Sequence, residues 1–138
     1  MNTLIIIMFI AIVVIGLGLL ILISLTRRGG SVLNQDKYRR EWLKITSSIT
    51  QDSRSWQFAI LSADKLLDQA MRERGIAGET MGDRLKNATS TLSSIDKVWT
   101  VHKLRNRIAH ESNVSVNKRQ LSESLKVLKR ALADLGAL

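Results

Sequence analysis

The sequence predicts an all-α protein in two parts: a single N-terminal transmembrane helix and a small, basic, up-and-down helical bundle. Three observations predict it. Leu4 to Leu25 contains no charged residue. Downstream, apolar residues recur every three or four positions, with no sustained period-two pattern. There is also no proline to interrupt those stretches.

The apolar run comes first. Its 22 residues rise about 33 Å, enough for a bilayer core of roughly 30 Å. A cleaved signal peptide would want a basic stretch before the run, a shorter apolar core and a small-x-small cleavage site. Here Met1-Asn2-Thr3 has no basic side chain and the run ends in Ser-Leu-Thr-Arg-Arg. Residues 1–26 therefore read as a signal-anchor helix, with residues 4–25 in the membrane. No Lys or Arg precedes it, whereas Arg27, Arg28, Lys37, Arg39 and Arg40 follow closely. The positive-inside rule then expects a single-pass protein with its N-terminus outside and its C-terminal domain in the cytoplasm. The same five cations are expected to attract anionic lipid.

Residues 27–35 read as a basic linker, with Gly29 and Gly30 ending the membrane helix. The domain is expected over 36–138. Asp36 is expected to cap a helix with the stripe Tyr38, Trp42, Ile45 and Ile49. The polar stretch 50–55 predicts a break. A second helix follows with Trp56, Ala59, Ile60, Ala63, Leu67 and Ala70, closed by Gly75. A Gly-punctuated connection over 76–82 leads to a short helix near 83–88. A long helix is expected from about Ser94 to His110. The last helix carries Leu121, Leu125, Leu128, Leu132 and Leu135 and stops at Gly136. Trp42, Trp56 and Trp99 lie on apolar stripes and are expected to pack in the core.

Composition narrows the chemistry. The absence of Cys excludes disulfides and thiolate sites, and two histidines do not make a His-rich metal site. Neither metal nor cofactor is expected. The net charge is +9, unevenly placed. Residues 45–95 balance, while 27–44 carry +4 and 96–138 carry +5. Such patches attract phosphates of lipid or nucleic acid, or simply keep a surface solvated.

One helix breaks the apolar pattern. On a wheel of about 100° per residue, Ile95, Val98, Trp99 and Ala109 lie within roughly 60° of His102. Asn106 lies about 40° from it and Arg105 about 60° on the other side. Three polar residues thus occupy a face that should be buried. Buried polar groups need partners, so this face is either a satisfied internal network or the lining of a cleft or interface.

Leu104–Glu111 reads L-R-N-R-I-A-H-E near the end of that helix. This resembles the HEPN superfamily (higher eukaryotes and prokaryotes nucleotide-binding), whose motif is an Arg, a polar residue such as Asn, and a His four to six residues after the Arg. Arg105, Asn106 and His110 match it, and the resemblance covers roughly 36–136. The stretches A-D-K-L-L-D-Q-A (63–70) and G-E-T-M-G-D-R-L (78–85) also look similar to segments of such domains, without an assigned role. The resemblance implies a HEPN-like bundle and metal-independent endoribonuclease activity. His110 would serve as acid or base, Arg105 would hold the phosphate, and Asn106 would orient the His or bind the sugar-phosphate. His102 and Arg107 are candidate substrate-binding residues, and the partners would be RNA or a nucleotide. Arg105 and His110 lie about 140° apart on an ideal helix. A homodimer, which the family's usual arrangement implies, would bring an Arg and a His from different subunits together. Two alternatives stand beside this: a non-catalytic HEPN-like module binding nucleotide, RNA or protein, and a structural membrane adaptor.

The membrane reading predicts that the full chain sediments with membranes and resists carbonate extraction. Release into the supernatant by carbonate would contradict it.

Overall fold

The computed structural model describes residues 2–26 and 30–138. They form six helices: α1 (Asn2–Thr26), α2 (Gln35–Ser47), α3 (Ser53–Glu73), α4 (Met81–Asn87), α5 (Ile95–His110) and α6 (Lys118–Asp134). No strand occurs among the described residues. The all-α expectation holds. The chain divides into two units, 1–30 and 31–138. In the first, α1 is long and apolar enough to cross a membrane, over the 21 residues Thr3–Ile23. Arg27, Arg28 and Gly29, read as the start of a linker, lie outside the described residues.

The described end of that expected linker belongs to the bundle instead. Leu33 is 5% exposed, and the Ser31 hydroxyl donates to the Glu73 carbonyl at 3.0 Å. The helix cap explains why. Asn34, not Asp36, caps α2, its side-chain oxygen accepting the Lys37 N–H at 3.0 Å. Leu33 and Tyr38 therefore hold the two positions of a hydrophobic staple, and both are buried. Asp36 sits in the first turn, where the helix dipole favours a carboxylate.

Helix α3 is the centre of the bundle, packing against α2, α4, α5 and α6. It starts three residues before Trp56, with Asp52 at its N-cap. Of its expected stripe, Ala59, Ile60, Ala63, Leu67 and Ala70 are buried, while Trp56 is partly buried. At its end Gly75 takes a φ of 80°. Its N–H meets the Arg72 carbonyl, and the Ile76 N–H meets that of Met71. This Schellman closure satisfies carbonyls that the helix leaves open, and the same pair of bonds closes α6 around Gly136. Thr80 and Asp83 form a capping box, so α4 begins two residues before the expected Asp83. Asn117 and Gln120 do the same for α6. Trp42 is buried, and Trp56 and Trp99 pack against the core from partly buried positions.

The start of α2 is tied to the end of α3 by Lys37, whose Nζ donates to Glu73 Oε1 at 2.7 Å. Gln69 donates to the same oxygen at 2.9 Å. These bonds, Lys37's first, lower the Glu73 carboxyl from an ordinary 4.5 to about 2. A carboxyl depressed by folding stabilises the fold fully above its unfolded pKa, and that contribution disappears as pH falls through the folded one. Wild-type stability should therefore fall more steeply than that of Glu73→Gln between pH 4.5 and about 2. Parallel acid-unfolding curves would contradict this role.

Candidate functional site

The irregular face of α5 meets α3, and there the two helices place their polar groups together. On α3, Asp64 interrupts the apolar stripe between Ile60 and Leu67 and is only 2% exposed. A carboxylate so desolvated needs partners, and α5 supplies them. His102, 8% exposed, places Nδ1 3.2 Å from Asp64 Oδ1 and 3.3 Å from Oδ2. Arg105 places Nε 3.4 Å from Oδ2. That contact is electrostatic, since Nε is buried without a well-formed hydrogen bond.

Asn106 closes the ring. Arg105 Nη1 donates to Asn106 Oδ1 at 3.1 Å, and Asn106 Nδ2 lies 3.3 Å from His102 Nε2. Because a guanidinium can only donate, the Asn106 oxygen must face Arg105 and its NH2 must face His102. His102 Nε2 is then the acceptor, so Nδ1 carries the proton and donates it to Asp64. The order is fully determined: Arg105 to Asn106, Asn106 to His102, His102 to Asp64, with Arg105 and Asp64 paired across the gap. Both imidazole nitrogens are engaged, so His102 is a strut between Asp64 and Asn106.

A second ion pair builds the adjoining wall. Asp68, one turn beyond Asp64 on α3, accepts from Arg84 Nε at 2.8 Å. Buried Arg84 also donates to the Gly78 carbonyl. Gly78 is needed where it stands: at a φ of 148°, a Cβ there would lie 2.6 Å from the Arg84 backbone nitrogen. Thr80 and Gly82 at the start of α4 are thereby set across from α5. The result is a cleft of about 550 Å³. Trp99, Met81 and Gly82 give it an apolar side, and Lys65, Lys103 and Arg105 a cationic one. The Trp99 ring stands edge-on to His102, with centroids 6.0 Å apart at 74°.

The sequence-predicted residues divide accordingly. His102, Arg105 and Asn106 come together and line the cleft. His110 does not join them. It is the last residue of α5, exposed, and lines neither this cleft nor the groove between α5 and α6. Arg107 faces that groove and pairs with Glu111 at 3.3 Å. Sequence reasoning missed Asp64, Asp68 and Arg84, although an acid on a helix's buried stripe is itself a signal. No group of three metal-ligating side chains occurs among the described residues. The cleft's cationic side is Arg105, one-third exposed, with Lys65 and Lys103 in the same lining; its two carboxylates, Asp64 and Asp68, are both already paired.

Asp64→Ala should cost roughly 3–5 kcal/mol in denaturant unfolding, since it leaves Arg105 and the His102 N–H without their buried acceptor. Asp64→Asn, which keeps an acceptor oxygen for His102, should cost less. Equal stability of wild type and Asp64→Ala would contradict the network.

No family model matches the chain, and no curated protein or solved structure matches it either. Function is therefore argued from the chemistry of this cleft and of α5.

Proposed function

We propose that this is a membrane-tethered HEPN-type domain that binds RNA and, as a homodimer, cleaves it without metal. The observation that carries the reading is the fixed guanidinium. Asp64 and Asn106 hold Arg105 in place while one-third of its side chain stays open. A planar fork held in this way suits a phosphodiester, whose charge grows on its non-bridging oxygens as it reacts. In the reaction, the 2′-oxygen of ribose attacks the adjacent phosphorus and the bond to the 5′-oxygen breaks. His110 takes the 2′-OH proton, and a proton is returned to the departing 5′-oxygen. Arg105 and His110 lie about 140° apart on α5, so the working pair comes from two protomers.

The anchor and its charges fit this reading. The domain lies in the cytoplasm, where RNA is available; of the five cations after the anchor, Lys37 stays paired with Glu73, which leaves Arg27, Arg28, Arg39 and Arg40 as the groups that would meet anionic lipid. A second reading, a non-catalytic module that binds RNA or nucleotide through the same cleft, is favoured by one observation: His110 does not line the cleft.

The test is cleavage of single-stranded RNA by the full chain in detergent with EDTA present, with binding followed in parallel. The expected result is cleavage lost by at least about a hundredfold in both His110→Ala and Arg105→Ala, with a 2′,3′-cyclic phosphate on the product. RNA binding without cleavage moves the assignment to the second reading. Absence of both removes RNA from the account.

A further inference from the structure

Helix α3 packs against both α5 and α6, but no α3 residue lines a second groove formed by that pair. It holds about 810 Å³. Two stripes build it. On α5, Lys97, Val101, Leu104 and Arg107 follow one another at helical spacing, and on α6 so do Gln120, Glu123, Val127 and Arg130. Side-by-side stripes of this kind make a trough that takes a third helix, its ridge of side chains lying between theirs.

We propose that this groove docks an acidic amphipathic helix of a protein partner. Its chemistry selects that occupant. The floor is aliphatic, made by Val101, Leu104 and Val127. The walls are cationic, with Lys97, Lys103 and Arg107 on α5 and Lys126 and Arg130 on α6; Glu123 is the one acid among the lining residues. Arg107 and Arg130 each pair with the carboxylate four residues on, Glu111 and Asp134. Lys97, Lys103 and Lys126 have no carboxylate within ion-pair range among the described residues. A helix with an apolar stripe flanked by Asp or Glu meets both features at once: leucine-type side chains on the floor and carboxylates at the three lysines. Single-stranded nucleic acid fits less well. It calls for aromatic platforms under its bases, and no aromatic residue lines the groove. A second copy of the same groove would set cation against cation. The RNA reading is separate, because Lys97, Lys126 and Val127 take no part in the Arg105 cleft.

The probe is a fluorescent peptide of about 18 residues, roughly 27 Å as a helix, with leucines on one stripe and glutamates flanking it. A control peptide carries lysine at each glutamate. Binding to the full chain, held in a nanodisc of neutral phosphatidylcholine, is read by anisotropy. The acidic peptide should bind at least about tenfold more tightly than the basic one and weaken as salt rises. Lys97 and Lys126 are exposed, so Lys97→Glu/Lys126→Glu should leave the unfolding midpoint unchanged while reversing the preference between the peptides. Val127→Asp should weaken both. Equal affinity for the two peptides, no binding, or no reversal in the double variant would overturn the proposal. So would displacement of the peptide by single-stranded RNA together with loss of RNA binding in Val127→Asp, which would make the groove a nucleic-acid surface. Conversion of a dimer to a monomer by Val127→Asp would instead assign it to a second copy.

Discussion

A carboxylate sealed between two helices is the constraint on which the rest of this domain depends. Asp64 sits in the apolar stripe of α3, the helix that touches every other helix of the bundle. Leaving its charge unpaired would cost several kcal/mol, a large part of what a domain of this size has to spare. The polar face of α5 resolves the conflict. His102 and Arg105 both turn toward Asp64, and Asn106 links them, so three side chains that would each be unfavourable in a core become mutually necessary. Their geometry then fixes the register of α5 against α3 and holds Arg105 at the mouth of the cleft. Structure and candidate chemistry are here the same set of contacts.

Much of the helical frame was legible in the sequence because it depends on local signals. Apolar spacing marked the buried faces of α3 and α6, and Gly75 and Gly136 marked their ends. The misplaced boundaries also had local causes. Asn34 preceded Asp36 as a cap, and Leu33, placed in a linker, proved to be half of a staple with Tyr38. Thr80 and Asp83 form a capping box that moved α4 forward. His102, Arg105 and Asn106 stand out as polar residues on an apolar arc, and that arc is both an internal network and a cleft wall: its groups pair with one another, Arg105 Nε by charge alone, and its outer edge lines a cleft. What the sequence could not identify was the partner. Asp64 lies 38 residues from His102, and only tertiary packing joins them. The stretches 63–70 and 78–85, to which the sequence alone assigns no role, carry Asp64, Asp68 and Arg84, the groups that build the site. His110 shows the opposite limit. A motif spacing names it beside Arg105, but helix geometry sets the two on different faces of α5.

Two surfaces of opposite design now share α5. Toward α3 and α4 lies a cleft whose Arg105 is oriented by buried groups, with an aromatic ring beside it. Toward α6 lies a wider trough with an aliphatic floor and three lysines that have no ion-pair partner among the described residues. On the proposed reading the first engages a phosphodiester and the second an acidic helix, so a bound partner would lie one helix width from the RNA. Lys103 lines both. Helix α1, long and apolar enough to cross a membrane, would hold both activities at the bilayer.

The hydrogen-bond order around the ring admits one tautomer of His102, and this can be measured directly. A long-range nitrogen–proton correlation spectrum of the imidazoles, with His102 assigned by comparison with His102→Gln, reports which ring nitrogen carries the proton. The expected spectrum places the proton on Nδ1, bonded to Asp64, with Nε2 accepting from Asn106. A ring protonated at Nε2, or one exchanging rapidly between both forms as in open solvent, would contradict it. Arg105 would then have no fixed neighbour in Asn106, and the cleft would lose the feature from which its function is argued.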